Sequence, residues 1–428
     1  MSKNKLSNQE PKGTNDWLPA EFAVRHYIFE TWRRVCRSYG FEEYLTPLVE
    51  SAEIYRAKSG EDVGGKELVT FTDLGGRELS IRPEMTPSVT RMVSKIYAAS
   101  PKPLKYFSIA NFMRNEKPQR GRNREFWQLN CDIFGSASLA ADLEIMQLSL
   151  DIMKAFGAPD NSFTLRVNSR KLLDNLLPVF GIKLGECAPI FRILDKHGKL
   201  EGEEFKRRLI LEGLTPASAD LLAAFMDGKA DAVFTEALTK NDELKTAKQE
   251  IDFVLVQLQA LGYTQAQFDP TLIRGFDYYD GLVFEVFDNH PDNRRALFGG
   301  GRYNGLAELF GAESFPAVGV APGDETTRLF LESWKIMPVI TDNRYYLPLI
   351  DASLLSETQK LAVALRAEGK QVLFAFEPQR PGKALEFANK QSIKNVVIFG
   401  SEEKAVGQYK IKDMEKGVET VFSLPTII

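Results

Sequence analysis

Tyr106–Gly135 reads YFSIANFMRNEKPQRGRNREFWQLNCDIFG. Two apolar runs, Tyr106 to Arg114 and Phe126 to Phe134, flank a loop in which Lys117, Arg120, Arg122 and Arg124 stand against Glu116 and Glu125. That pattern predicts a pair of strands joined by a basic tip. Side chains alternate faces along a strand, so Trp127, Leu129, Cys131 and Ile133 form an apolar face and Gln128, Asn130 and Asp132 share the other. A polar row on so hydrophobic a strand is costly to bury unless it binds something. Arg114 ends the first strand beside that row, which makes the polar face a candidate site. A solvated hairpin tip on a half-exposed sheet is the plainer alternative.

The bulk properties fit either reading. A chain of 428 residues has room for two or three domains with substantial cores. At 44% hydrophobic and 26% charged it has the composition of an ordinary globular protein. The formal net charge of −4 means that any nucleic-acid contact must come from local basic patches. Cys36, Cys131 and Cys187 are far apart in sequence with no paired spacing, which argues against a zinc site or a disulfide framework and for a reducing compartment. His26, His197 and His290 are too scattered for a metal cluster. Met1–Glu10 is polar, without the apolar core of a secretory signal, and no apolar run is long enough to span a bilayer, so the cytoplasm is the expected location.

Around the opening stretch, Glu21–Tyr39 predicts a helix carrying Phe22, His26, Phe29, Trp32, Arg33 and Cys36, with Gly40 closing it. Phe41–Glu50 predicts an edge strand interrupted by Pro47. Gly60–Lys66 spells GEDVGGK, a phosphate-binding loop up to its lysine, but Glu67 replaces the serine or threonine that would hold magnesium, and that reading fails. Val69–Arg82 predicts a hairpin turning at Gly75-Gly76, followed by a helix with Thr86 as N-cap and Pro87 as first residue. Its buried face would be Val89, Met92, Val93, Ile96 and Tyr97. Asp142–Phe156 predicts a helix and Phe163–Arg170 a strand. About 177–261 is mostly helical with charged faces. Thr271–Phe287 leads from an arginine–glycine turn through paired tyrosines into a strand, and Gly299–Leu306, GGGRYNGL, reads as a glycine turn. From Tyr345 onward, strands alternate with helices in a small α/β pattern.

Several of these stretches resemble class II aminoacyl-tRNA synthetases, in the histidyl-tRNA synthetase form. Phe112, Arg114, Glu116, Pro118, Gln119, Gly121, Arg122, Arg124, Phe126, Gln128 and Asp132 fall in register with that family's motif 2. Pro11–Pro19 resembles its amino-terminal opening, with Lys12 in place of arginine, and Phe41–Glu50 its dimer-forming motif 1. Arg82-Pro83-Glu84-Met85-Thr86 resembles its arginine–proline–glutamate–x–threonine element. Arg274, Gly275, Asp277, Tyr278, Tyr279, Phe284 and Glu285 match a histidine-specific signature, and Gly299–Leu306 a second one, with Asn304 where aspartate is commoner. Ala317–Gly323 aligns with motif 3, but Thr326 occupies the position of its ATP-binding arginine and Arg328 lies two residues on. Pro381–Ala388 resembles the family's anticodon-binding domain.

The resemblance implies an α+β catalytic core, an antiparallel sheet flanked by helices, with a helical insertion and a carboxy-terminal α/β domain. The implied boundaries are 1–176 and 262–335 for the core, 177–261 for the insertion and 341–428 for the anticodon-binding domain. It implies a histidine–tRNA ligase that uses ATP, L-histidine and tRNA(His), with magnesium arriving on the ATP and no structural metal, and acts as a homodimer away from membranes. Arg274 and Arg114 would be catalytic; Glu84, Thr86, Gln128, Asp132, Tyr278 and Tyr279 would bind histidine. Arg114, Glu116 and Arg122 would bind ATP, and Gln119 and Arg120 the tRNA acceptor end. The competing readings are non-catalytic: the synthetase-like regulatory subunit of ATP phosphoribosyltransferase, or an RNA sensor, the latter favoured by Thr326.

Overall fold

The structure, a computed structural model, describes residues 6–425 except 58, 61, 183–186, 230, 274–277, 294–295 and 341. It divides into two compact units, Met1–Pro338 and Val339–Ile428. The first is built on an eight-stranded sheet. In spatial order its strands are Glu42–Glu43, Leu104–Met113, Glu125–Phe134, Ala317–Val320, Ala296–Arg302, Leu282–Asp288, Phe163–Ser169 and Ala266–Phe268. The inner pairs are antiparallel, while the outermost pair at each edge is parallel. The expected α+β class holds, with a mixed rather than a purely antiparallel sheet.

The apolar face of the Glu125–Phe134 strand decides the packing. Leu129, Cys131 and Ile133 are buried in one large cluster with residues of the helices Pro19–Ser38 and Leu139–Ala155. Full burial of each such aliphatic side chain contributes about 1.5–3 kcal/mol. A one-residue slip would turn them to the other face, so the register with Leu104–Met113 is strongly specified. Cys36 and Cys131, remote in sequence, meet there as free thiols with sulfurs 3.9 Å apart.

The Pro19–Ser38 helix starts with proline in its first turn and is followed by Gly40 at φ +76°, the left-handed closure that glycine favours. Its inward residues are Arg25, Ile28, Phe29, Thr31, Trp32, Val35 and Cys36. Phe22 and His26 on the same helix are exposed.

Phe41–Glu50 is not one strand. Glu42–Glu43 joins the large sheet, and Val49–Ser51 joins a second, three-stranded sheet with Glu78–Ile81 and Val69–Thr72. Pro47 lies between the two pieces and cannot donate to either ladder. The expected hairpin turns at Gly75-Gly76, with Gly76 at φ +79°. The next helix is Thr86–Ile96 with Met85 as N-cap, so Thr86 is its first residue rather than the cap. Val89 and Val93 are buried as expected, but Ile96 is exposed. The glycines of Gly299–Gly301 lie inside the Ala296–Arg302 strand, not in a turn. A Cβ on Gly300 would strike the Gly319 carbonyl and the Phe284 ring, so only glycine lets the strands approach there.

Within 177–261 the structure is helical: Cys187–Leu194, Gly202–Leu211, Pro216–Met226, Asp231–Lys240 and Asp242–Ala260. The second unit is a five-stranded sheet in the order Val372–Pro378, Tyr345–Leu349, Asn395–Ile398, Gln408–Asp413 and Glu419–Ser423, with helices Leu355–Ala367 and Pro381–Lys390 packed on it. Among the described residues no helix is long and apolar enough to cross a membrane.

Candidate active site

The polar face of the large sheet forms the floor of a cavity of about 290 Å³. Nine of the residues named from sequence line it: Glu84, Thr86, Arg114, Glu116, Arg122, Gln128, Asp132, Tyr278 and Tyr279. They come from stretches nearly two hundred residues apart, and the strand order brings them together. Gln119 and Arg120 lie at the exposed tip of the basic loop, outside the wall, where Gln119 and Arg122 exchange backbone hydrogen bonds. Arg274 falls outside the described residues.

One end of the cavity is deeply buried. Asp132 is 4% exposed, and Tyr303 donates a 2.6 Å hydrogen bond to its Oδ1. Burial pushes the Asp132 carboxyl up to about 7, and the Tyr303 bond only partly opposes this. Gly319 on the neighbouring strand makes room for it, because any Cβ there would collide with Asp132 Oδ1. Tyr278 donates to Glu84 Oε2 at 2.9 Å and lies 3.4 Å from the Thr86 hydroxyl. Glu84, also 4% exposed, has its carboxyl raised by burial against the hydrogen bonds and the nearby Arg114 charge; its Oε1 takes no aligned bond among the described residues. The rings of Tyr278, Tyr279 and Tyr303 pack together, with centroids 4.8 Å and 5.7 Å from that of Tyr278. The result is a pocket of acceptors and hydroxyls walled by aromatic rings, suited to a small polar group with N–H donors.

The other end is more open. Arg114 donates from Nε to the Pro83 carbonyl at 3.0 Å and lies over the Phe126 ring at 5.0 Å. Arg122, with a side chain 56% exposed, reaches Glu116 at 3.4 Å. Gln128 donates to the Ala321 carbonyl at 3.2 Å. Guanidinium groups beside an aromatic ring and a carboxylate can take phosphate oxygens and a flat base together. Thr326 also lines this end, its hydroxyl donating to the Leu297 carbonyl at 2.8 Å. Arg328 does not stand in for the missing arginine. It is off the cavity wall, bound to Glu325 at 2.8 Å and Glu332 at 3.2 Å, as its place two residues along the helix requires.

Among the wall residues with no role assigned from sequence are Asn130, Glu285, Tyr303 and Asp324. Asn130 belonged to the polar row already recognised, and strand alternation alone could have included it. Tyr303 follows Gly299 and Gly301 in the alternation of its strand, a signal hidden while the glycines were read as a turn. Arg302, the arginine of that signature, is structural: it forms a buried pair with Asp142 and donates to the Ser136 and Ser138 carbonyls. Asn304 is held by Asp280 at 3.0 Å. Among the described residues no group of three acidic, histidine or cysteine side chains could hold a metal.

Residues 13–323 match the histidyl-tRNA synthetase family, and residues 336–426 match the anticodon binding domain family. The chain is 38% identical to a histidine–tRNA ligase of Leptospira biflexa, over 99% of this chain and 97% of that protein. A histidine–tRNA ligase of Halobacterium salinarum is 38% identical over 96% and 94%, and one of Pyrococcus horikoshii 36% over 97% of each. Among solved structures, histidyl-tRNA synthetase from a Nostoc species superposes with a TM-score of 0.79 at 23% identity, covering 98% of this chain and 97% of that one. A Bacillus halodurans protein described as an ATP phosphoribosyltransferase regulatory subunit/histidyl-tRNA synthetase superposes at 0.71, covering 89% of this chain.

Proposed function

The chain belongs to the histidyl-tRNA synthetase family, a family of histidine–tRNA ligases, and on that premise we propose how its residues divide the reaction. ATP and histidine give histidyl-adenylate and pyrophosphate, and the histidyl group then passes to the 3′ end of tRNA(His). In the first step the histidine carboxylate attacks the α-phosphate and pyrophosphate leaves. Two anions must approach, so catalysis is mainly charge stabilisation and positioning.

Arg114 and Arg274 hold the α-phosphate and the histidine carboxylate, and Arg122 reaches the β- and γ-phosphates. Glu116 accepts from the adenine amino group. Glu84, Thr86 and Gln128 take the amino end of histidine, with Tyr278 holding Glu84 in place. Asp132 and Tyr279 bind the imidazole, and Tyr303 orients Asp132. Such a pocket rejects isosteres that leave its buried acceptors unpaired. Magnesium enters as part of the ATP substrate. Gln119 and Arg120 meet the tRNA acceptor end, 341–428 binds the anticodon, and 177–261 is the insertion between the two parts of the core. Exposed Leu45 and Leu48 in Phe41–Glu50 support a homodimer through that stretch. We place the activity in the cytoplasm.

The observation that carries this reading is the convergence of the nine sequence-named residues on one cavity. Histidine-dependent ATP–pyrophosphate exchange by the purified chain tests it. Exchange is expected, and Arg274→Ala should lower it roughly 10²–10³-fold in a folded protein. A chain that folds but does not exchange would be a non-catalytic relative, the reading that Thr326 favours.

A further inference from the structure

The motif 3 helix begins differently here from the family pattern described above. Where glutamate and then arginine open that helix in the family, this chain has Asp324, Glu325 and Thr326. Asp324, Glu325 and Thr326 all line the cavity, so the start of this helix presents two carboxylates and no cation of its own to the end assigned to the nucleotide, where Arg114 and Arg122 stand on the hairpin of the basic loop. An uncompensated carboxylate there repels a polyphosphate, and in a partly buried wall that repulsion is only weakly screened.

Both acids have a cation behind them. Glu325 is bound by Arg328 at 2.8 Å. Asp324, with a side chain 1% exposed, has Arg25 Nη2 2.7 Å from its Oδ2, and accepts from the Trp127 backbone N–H through Oδ1 at 3.0 Å. The Arg25 approach is close without being aligned as a hydrogen bond. Arg25 comes from the Pro19–Ser38 helix, is 4% exposed, and its guanidinium lies 3.5 Å from the centre of the Trp17 ring. Trp17 follows a segment tied to the basic loop: the Gly13 carbonyl accepts from the Arg124 N–H at 2.8 Å, and Gly13 at φ +88° leaves no room for a Cβ against Arg124 and Pro118. Burial pushes the Asp324 carboxyl up to about 6, against the Arg25 charge, which leaves it ionised at neutral pH. The other charged groups acting on this pair are Glu325, Arg328 and, on Arg25, Glu125.

We propose that Arg25 is a positioning residue for the ATP half of the site: braced on Trp17, it cancels the Asp324 carboxylate so that the wall around Thr326 accepts a polyphosphate. The helix start thereby becomes neutral through cations placed behind it, while the family's own device is a cation at the surface. The inference rests on the assignment of ATP to this end of the cavity.

The test is a double-mutant cycle on the full chain, read by histidine-dependent MgATP–pyrophosphate exchange and by calorimetry with MgATP. Measured at about pH 8.5, Arg25→Met should raise the KM for ATP about tenfold, with the KM for histidine moving by no more than about twofold. The effect should shrink toward neutral pH, because burial favours the neutral Asp324 carboxyl once Arg25 is gone. Adding Asp324→Asn, which keeps the acceptor for Trp127 N–H, should bring the KM for ATP back to within about threefold of the parent. A folded Arg25→Met protein with the parent's KM for ATP overturns the proposal, and so does a double variant no better than the single one, since a merely structural arginine would not be rescued by removing a charge. Where Arg25→Met does not fold, Asp324→Asn alone decides. It leaves Arg25 uncompensated beside the cavity, so affinity for MgATP should rise about threefold, and unchanged or weaker binding overturns the idea. A parent chain that binds MgATP with this dependence on Arg25 but never exchanges breaks the ligase reading and leaves this inference standing.

Discussion

At the end of the cavity proposed for histidine, Asp132 and Glu84 are each 4% exposed and Tyr303 is 3% exposed. At the end proposed for the nucleotide, the Arg122 side chain is 56% exposed and its partner Glu116 sits at a loose 3.4 Å. The first end is desolvated before any ligand arrives, and its two carboxyls already carry the cost as raised pKa values. Whatever binds there must supply N–H donors in the right places or leave buried acceptors unmatched, a penalty of about 1–3 kcal/mol for each such group. The second end keeps its charges wet, and its ligand brings its own. On the proposed assignment, discrimination belongs to the buried end and capture of the anionic substrate to the open one.

Arg114 sits between the two ends, and removing it should have the largest effect. Arg114→Ala should lower exchange roughly 10²–10³-fold with both KM values changed less than the rate, measured by steady-state exchange beside a thermal melt. A variant with normal exchange would reduce Arg114 to a brace for Phe126 and Pro83.

Asp132→Asn should separate function from stability. Loss of a charged acceptor for the imidazole should raise the KM for histidine about 10–100-fold. Because the folded carboxyl titrates near 7, above its ordinary 3.8, the folded chain holds an extra proton between those values, and stability falls as pH rises through that window. The asparagine variant lacks this penalty. It should melt a few degrees above the parent at pH 8, by roughly 1.4 kcal/mol for each unit of the shift, and converge with it toward pH 4. A variant less stable than the parent at pH 8 would show that Asp132 is well solvated in solution.

Arg122→Ala probes the open end and should be milder, raising the KM for ATP about tenfold while the histidine KM holds, because a half-exposed charge is screened. A matching rise for both substrates would erase the contrast between the two ends. The smallest effect is expected at the loop tip: Arg120→Ala should reduce the salt dependence of tRNA binding by about one unit of slope, read by filter binding across a potassium chloride series.

What could be read in the sequence was local. The polar row 128–132 and Arg114 lie within one hairpin, where strand alternation carried them to one face, while Glu84, Thr86, Glu116 and Arg122 were named by the family resemblance. The residues that escaped are defined by distant partners. Tyr303 matters because it meets Asp132, 171 positions away, and Asp324 because it meets Trp127 and Arg25. Gly319 gives no hint of its task, which is to leave space for a carboxylate on another strand. The same blindness made a single strand of Phe41–Glu50: an alternating run interrupted by Pro47 does not say that its halves serve different sheets. It also made a turn of Gly299–Gly301, since three glycines fit a close approach between central strands as well as they fit a bend.

The pairing of Asp132 with Gly319 and of Trp127 with Asp324 has a consequence for the nascent chain. The Glu125–Phe134 strand leaves the ribosome with its inner neighbour, Ala317–Val320, still untranslated. At about 5–20 residues per second that neighbour is on the order of 10–40 s behind. Through that interval Leu129 and Ile133 lack part of the surface that later covers them, and Glu84 and Asp132 remain hydrated carboxylates with ordinary acidity. The apolar face of the first hairpin is then the surface on which a holding chaperone should act. The second unit begins only at Val339, after the last strand of the large sheet has been made, so closure of the cavity can precede its synthesis.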